Sequence, residues 1–422
     1  MNMIRRDDYS MRIKVTIFLS LLVVFFFPTS INGRIIDDIW IVRNGIGVIM
    51  TFYLVRAYGI TIQNFTWCFL LMFILSIFTM IPLLFSADEP NDLYISVASA
   101  SGEIITFILW AILYRENRVS RKCALRIVNM LSIIILIWGW GLVFAIQPIV
   151  SITQSLYSQL NDDMFSNMVL IRGKPVMSFG THSMSAFFTM LVFYFNALAV
   201  KEGNNSVYRY IIMVLLMALE VPMTSNTAIV CLGVMAYLFV WSTRKWWAGF
   251  IVILGIIAVG IYLYATGVMT AYVDGITNGV SSELHGFSAR YFSGRFDGNF
   301  EMVSRFGGVG FLRSRSEFYK MNDSAIIYLF TQGNAVAVIL AYSLMYRFFK
   351  NNYSKYWKIS LGLFFIWEII ASSTFISVKM VCAHILTMYI VNSLTCATEK
   401  EEASKWKSVS CYRAHPFAAP EE

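Results

Sequence analysis

Charge is scarce in this chain. Asp, Glu, Lys and Arg make up 14% of its 422 residues, where a soluble domain carries roughly a quarter. That shortage excludes the two or three water-soluble domains the length would otherwise suggest. Disulfide signals are missing as well. The six cysteines, Cys68, Cys123, Cys231, Cys382, Cys396 and Cys411, fall in apolar runs or in segments assigned below to the cytoplasm, so no disulfide framework ties the outer loops. The four histidines, His182, His285, His384 and His415, are scattered, and no His or Cys pair has metal-ligand spacing. A catalytic metal is therefore not expected, and neither is another cofactor. No internal repeat and no Pro- or Ser-rich linker divides the chain.

Apolar sequence is abundant instead. Hydrophobic residues reach 58% and the mean hydropathy is +0.64. Runs long enough to cross a bilayer recur near 15–28, 38–55, 66–86, 94–113, 128–148, 182–200, 210–223, 226–243, 246–267, 323–346, 359–374 and 378–395. The first follows Arg5, Arg6, Arg12 and Lys14 and lacks a small-residue cleavage site after it, so it reads as a retained span and not a secretory signal. The expected fold is an all-α polytopic membrane protein of about twelve transmembrane helices. Residues 1–396 form one helical bundle and 397–422 a polar cytoplasmic tail.

The net charge of +8 fits this topology better than it fits nucleic acid. About two thirds of the 33 Lys and Arg residues fall in the segments that are cytoplasmic if both termini are inside. The short outer turn at 87–92 carries Asp88, Glu89 and Asp92 and no base. Trp241, Trp246 and Trp247 bracket Arg244 and Lys245, as an interfacial belt does at a span's inner end. Two outer segments are too long to be turns: one at about 149–181 and one at about 270–322. Any outward-facing chemistry belongs to them.

The second long loop inverts the charge bias, with Arg290, Arg295, Arg305, Arg313, Arg315 and Lys320. Arginine's planar fork binds phosphate bidentately and keeps its proton. The alternative is a solvated surface helix, since Asp274, Glu283, Asp297, Glu301 and Glu317 nearly balance the bases. In the first loop Arg172 and Lys174 sit where the sixth span enters the membrane, as phosphate ligands or as interfacial anchors. His182 opens that span as a catalytic or an interfacial histidine. Gly307, Gly308 and Gly310 lack the strand-to-helix setting of a nucleotide fingerprint and read as a tight turn. Ionisable residues inside spans default to functional roles: Arg43, Glu103, Glu220 and Glu368 qualify. Glu220 is placed to face a water-filled cavity, while mutual pairing is open for the other three.

The arrangement resembles the bacterial O-antigen and exopolysaccharide polymerases and the related O-antigen ligases. Arg172 precedes Gly180 in the first loop, and Arg295 precedes Gly308 and Gly310 in the second, in the order that family shows. The stretch VPMTSNTAIV resembles the family's Thr-x-Ser-Arg-Thr-Ala turn, with Thr224, Ser225 and Thr227 kept and Asn226 in place of arginine. Asn322 and Asp323 stand where the family often has His-Asn. The resemblance implies a GT-C-like bundle in the bacterial inner membrane with a periplasmic active face. It implies a glycosyltransferase joining undecaprenyl-pyrophosphate-linked repeat units, metal-independent and inverting, into O-antigen for lipopolysaccharide biosynthesis or into exopolysaccharide. Implied pyrophosphate ligands are Arg172, Lys174, Arg290, Arg295 and Arg305. Arg295 and Arg172 are the leading catalytic groups, and base candidates are Asp297, His285, His182 and Asp323. Implied partners are the lipid-linked glycan, the bilayer, a chain-length regulator and a flippase, with no nucleic acid. The alternatives are an O-antigen ligase and a lipid-linked oligosaccharide flippase or secondary transporter, though a transporter usually shows matching halves and these halves do not match.

Overall fold

A computed structural model of the chain describes residues 14–26, 37–60, 62–85, 119–157, 174–223 except 180, 226–243, 325–353, 355–370 and 378–395, with shorter pieces within 104–112, 254–265 and 303–308. These residues are almost wholly helical. The helices are α1 (14–21, opening into a π turn at Leu22–Phe26), α2 (Asp37–Tyr58), α3 (Ile62–Phe85), α4 (Arg121–Val143), α5 (Gln147–Tyr157), α6 (His182–Lys201), α7 (Val207–Glu220), α8 (Asn226–Thr243), α9 (Ala325–Asn352), α10 (Trp357–Ile370) and α11 (Val378–Leu394). No strand occurs among the described residues, where one isolated bridge joins Ile60 to Ile112. Three helices, α4, α6 and α9, are long and apolar enough to cross a membrane.

Two helices form the centre. Every residue of α6 from Met184 to Val200 is buried, and so is every residue of α11. Burial on every side leaves these two helices no lipid or water face. α6 packs against α4, α7, α8 and α11, while α11 also meets α1 and α2. Exposed apolar surface falls to helices such as α3, where Phe65, Phe69 and Phe73 form a stacked row. In a bilayer the tails are as apolar as the core, so close packing and internal hydrogen bonds replace the hydrophobic drive. Gly139 and Gly141 supply the close approach: a Cβ there would meet Leu219 of α7 and Ile149 of α5.

Hydrogen bonds tie the centre together. Asn196 on α6 donates to Ser132 on α4 at 2.8 Å and accepts from Arg209 of α7 at 2.8 Å, while Arg209 also donates to Asn129 at 3.1 Å. Arg209 is buried. Tyr194 bonds Ser360 at 2.9 Å, and Asn392 donates to the carbonyl of Asn352 at 2.7 Å.

The bundle has two distinct ends. At the end where α6 finishes, the Glu202 carboxylate accepts from Lys355 and Tyr356, both at 2.8 Å, and its carbonyl accepts from Arg121. The Glu202 hydrogen bond raises Lys355 above the ordinary lysine value, and burial raises the Tyr356 hydroxyl. Lys201 donates to the Trp241 carbonyl at 2.7 Å, and Trp241 meets the Tyr356 ring edge-on. The starts of α4, α7 and α10 and the ends of α6, α8 and α9 therefore gather at one end. The other end receives 174–179, the start of α6, the end of α7 and the first half of α9.

The fifth apolar run differs from the expected 128–148. α4 begins seven residues earlier, at Arg121, and stops at Val143. Its Ala145 takes φ 51° while Ile146 N–H bonds the Gly141 carbonyl at 2.8 Å, a left-handed stop of the kind that ends helices. The chain then forms α5 inside the segment expected to be an outer loop. α5 lies back on α4, with Trp138 Nε1 donating to Thr153 at 2.7 Å.

Candidate functional site

The end opposite Glu202 receives both long segments. The first returns through 174–179, six residues that are all buried. The turn is held by its own backbone, with Val176 N–H on the Lys174 carbonyl at 2.9 Å, and by Ser185, whose hydroxyl donates to the Val176 carbonyl at 2.6 Å. Thr181 then caps α6, accepting from Met184 N–H at 3.1 Å. β-branched Thr in an extended conformation is a good cap because its oxygen takes one of the orphan amides of the first turn. Lys174 is 9% exposed, and His182, the first residue of α6, is half-buried.

Lys379 meets this turn from α11. Its ammonium donates to the Ser178 carbonyl at 3.1 Å and lies 5.1 Å from the ring centre of Phe179 and 6.0 Å from that of Phe188. It is fully buried. Phe179 stacks on Phe188 at 4.5 Å, and Phe25 of the α1 π turn closes on Phe179 at 5.7 Å. Sequence reading missed Lys379 because one lysine in the second position of an apolar run of seventeen residues does not interrupt the span.

The second long segment returns at 303–308. Gly307 and Gly308 have φ of 73° and 138°, and a Cβ on Gly308 would strike the Gln332 carbonyl. That carbonyl belongs to a break in α9, where Asn334 has φ 56°. Asn334 serves both sides of the break: its Oδ1 accepts from Val336 N–H at 2.8 Å and restarts the helix, and its Nδ2 donates to the Gly307 carbonyl at 3.3 Å. Glycine is required at 308 by conformation and by contact together.

Glu220 ends α7 and is 2% exposed, with neither carboxyl oxygen hydrogen-bonded. A 3-10 turn, Val221–Met223, follows it and packs on α6. Glu368, by contrast, accepts from Tyr342 at 3.1 Å. His384 is fully buried among Trp110, Phe348, Phe349 and Phe364, with its ring 3.6 Å from that of Phe364. Its nitrogens make no hydrogen bond, so it belongs to an aromatic core and not to the mouth of α6.

Of the residues singled out from sequence, Lys174 and His182 are thus brought to one end of the bundle. Arg172, Arg290, Arg295, Arg305, Asp297, His285 and Asp323 lie outside the described residues, as do the side chains of Arg43 and Glu103. Among the described residues no group of His, Cys, Asp and Glu could hold a metal ion. No family model matches the chain, and no curated protein or solved structure matches it either.

Proposed function

We propose that the chain is a polymerase of lipid-linked oligosaccharide repeat units, with about twelve spans in the bacterial inner membrane, both termini cytoplasmic and the 174–179 end periplasmic. The observation that carries this reading is the return of both long segments to the same end of the bundle. One returns through a buried turn with Lys174, and the other through Gly308 seated on broken α9. The opposite end carries Lys355, Lys201, Arg121 and Trp241, the composition of a cytoplasmic interface.

In the proposed reaction the acceptor hydroxyl attacks the anomeric carbon of the growing glycan, the bond from that carbon to the pyrophosphate oxygen breaks, and the hydroxyl proton passes to a base. Arg172, Arg290, Arg295, Arg305 and Lys174 stabilise the charge gained by the pyrophosphate. His182, Asp297 and His285 are the base candidates. Arginines in place of a metal predict extension that persists in excess EDTA, with inversion at the anomeric carbon.

A deletion strain tests the reading through its surface polysaccharide. A single repeat on the final acceptor supports polymerase, while long chains left on the carrier lipid mean ligase and overturn it. Arg295→Ala should lower extension about a hundredfold at normal protein level, and near-normal polymer would reject that site. The transporter reading is favoured by Glu220, because an enclosed carboxyl without a hydrogen-bond partner is what a proton-coupled carrier places in a span. Accumulation of repeat units on the cytoplasmic leaflet in the deletion strain would select it.

A further inference from the structure

Arg209 is a buried charge with no counter-charge among the described residues. It is 2% exposed, and its Nη1 and Nη2 groups donate to the side-chain oxygens of Asn196 and Asn129, both neutral. Its Nε–H is enclosed and donates to nothing. An arginine keeps its proton, so this charge cannot be relieved by titration as that of a buried glutamate can. The place of Arg209 in the fold adds to the burden. It lies in the first turn of α7, at the positive end of the macrodipole, and Ser206, which precedes the helix, makes no side-chain cap bond to that turn. Joining α4, α6 and α7 accounts for the two Nη bonds. It leaves the charge and the Nε–H unexplained.

The seam between α4 and α7 carries a matching pattern. The two helices run side by side in the same direction: Asn129 meets Arg209 near the Glu202 end, and further along both helices a Cβ on Gly139 would meet Leu219. On α4, Lys122, Arg126, Asn129 and Ile133 share one stripe at i, i+4, i+7 and i+11. Lys122, Arg126 and Ile133 are exposed, and Asn129 is half-buried. On α7, Tyr208, Leu215 and Leu219 share a stripe in the same way, with Tyr208 and Leu215 exposed. Both stripes border the seam, because each contains a residue that bridges it. Their order runs from polar to apolar. Lys122, Arg126, Tyr208 and the first turn of α7 stand at the Glu202 end, while Ile133 and Leu215 lie deeper. Among the described residues neither Lys122 nor Arg126 pairs with an acid.

We propose that the α4–α7 seam binds an anionic phospholipid of the leaflet at the Glu202 end. Arg126 and Lys122 hold its phosphodiester, which is the missing counter-charge for Arg209, and its acyl chains lie along Ile133 and Leu215. A phosphodiester brings one negative charge and several acceptor oxygens to the start of a helix, where anions are favoured. Bases at a membrane surface attract such lipids. A zwitterionic lipid carries an ammonium beside its phosphate and brings no net charge to Arg209. Free phosphate would satisfy the bases but leave Ile133 and Leu215 uncovered. The seat is at the opposite end from the 174–179 turn, and it holds whichever reaction the chain performs there.

The test takes the full-length protein in detergent, titrated with phosphatidylglycerol, phosphatidylethanolamine or inorganic phosphate, with bound lipid counted by native mass spectrometry. Wild type should bind phosphatidylglycerol about fivefold or more tighter than phosphatidylethanolamine, and inorganic phosphate at equal concentration should not displace it. Arg126→Gln should weaken phosphatidylglycerol binding by about fivefold and bring it towards that of phosphatidylethanolamine. Arg209→Met should weaken it by about tenfold or more. Lys358→Gln changes an exposed lysine of α10 at the same end and should leave binding unchanged. Because Arg209→Met also removes both Nη bonds, Arg126→Gln decides the matter where that variant fails to fold. Equal binding of the two lipids by wild type, or unchanged binding by Arg126→Gln, would overturn the seat. An equal loss from Lys358→Gln would overturn it too, since binding would then be a general attraction to basic residues. Displacement by inorganic phosphate would overturn the lipid as occupant in favour of a soluble phosphate.

Discussion

The two ends of the bundle treat charge in opposite ways. Around Glu202 the charged groups stay near solvent: Lys355 is 52% exposed, and Glu202 accepts from Lys355, Tyr356 and Arg121. At the mouth of α6, Lys174, Lys379 and Glu220 are taken out of solvent. Exposed pairs of the first kind contribute about 0–1 kcal/mol, whereas burying a charge costs several kcal/mol unless it is well bonded. Anchoring explains the Glu202 end. At the other end Glu220 is a carboxyl left without a hydrogen bond, and ionisable groups enclosed in a span default to functional roles.

The largest test of this contrast is Gly308→Ala. A Cβ there meets the Gln332 carbonyl in a conformation that disfavours side chains, so destabilisation of about 2–5 kcal/mol is expected. Gly233→Ala on α8, where nothing lies within 4 Å, should change stability by about 1 kcal/mol at most, in either direction. Thermal unfolding in detergent compares them, and equal melting temperatures would show that the 303–308 segment is not seated on α9.

Asn196→Ala probes the exception to the contrast, since Arg209 is a buried charge on the Glu202 half of the bundle. Removing its acceptor should cost about 2–4 kcal/mol. Adding Arg209→Met should recover part of the loss. Strictly additive losses would mean that the two side chains do not act as a pair.

Glu220→Gln should leave stability within about 1 kcal/mol of wild type, because no hydrogen bond is lost. A loss above about 2 kcal/mol would place the carboxylate among the structural ties. Lys355→Met should show the smallest effect, below about 1 kcal/mol. Lys355 is raised above 10.5 by its Glu202 hydrogen bond. Its contribution is therefore complete at neutral pH and is lost as pH rises through the raised value. Unfolding measured from pH 7 to 11 should show the mutant and wild type converging at the alkaline limit.

Much of the helix plan was legible in the sequence because a spanning helix announces itself by length and apolarity. His182 to Lys201 matches the run expected at 182–200, and Val378 to Leu394 matches 378–395. Depth in the bundle was not legible. α6 and α11 are enclosed while α3 has an exposed phenylalanine face, yet all three are predominantly apolar, and hydropathy cannot tell a helix neighbour from a lipid neighbour. α5 was missed for a different reason: Pro148 and the polar Gln147, Thr153 and Gln154 suggest a loop, whereas the Trp138–Thr153 bond and the Gly141 approach create the helix through tertiary contact. Of the candidate site, Lys174 and His182 could be named from position. Lys379 could not, because its importance arises from meeting Ser178 across 201 residues of sequence.

The enclosure of α6 also sets a problem of timing during synthesis. α6 leaves the insertion machinery after α4, which supplies Ser132, but before α7, α8 and α11, three of its other walls. From Lys201 to Thr243 about forty residues must still be added, which takes about 2–8 s at ordinary elongation rates. During that interval the Asn196 side-chain oxygen, later bonded by Arg209 of α7, has lipid or the insertion channel beside it. A photocrosslinker at position 196 should therefore change partners, from channel or lipid to α7, as chains lengthen past Thr243. A nascent chain stalled within this window would present an uncovered asparagine in the bilayer, the kind of lesion that membrane proteases recognise.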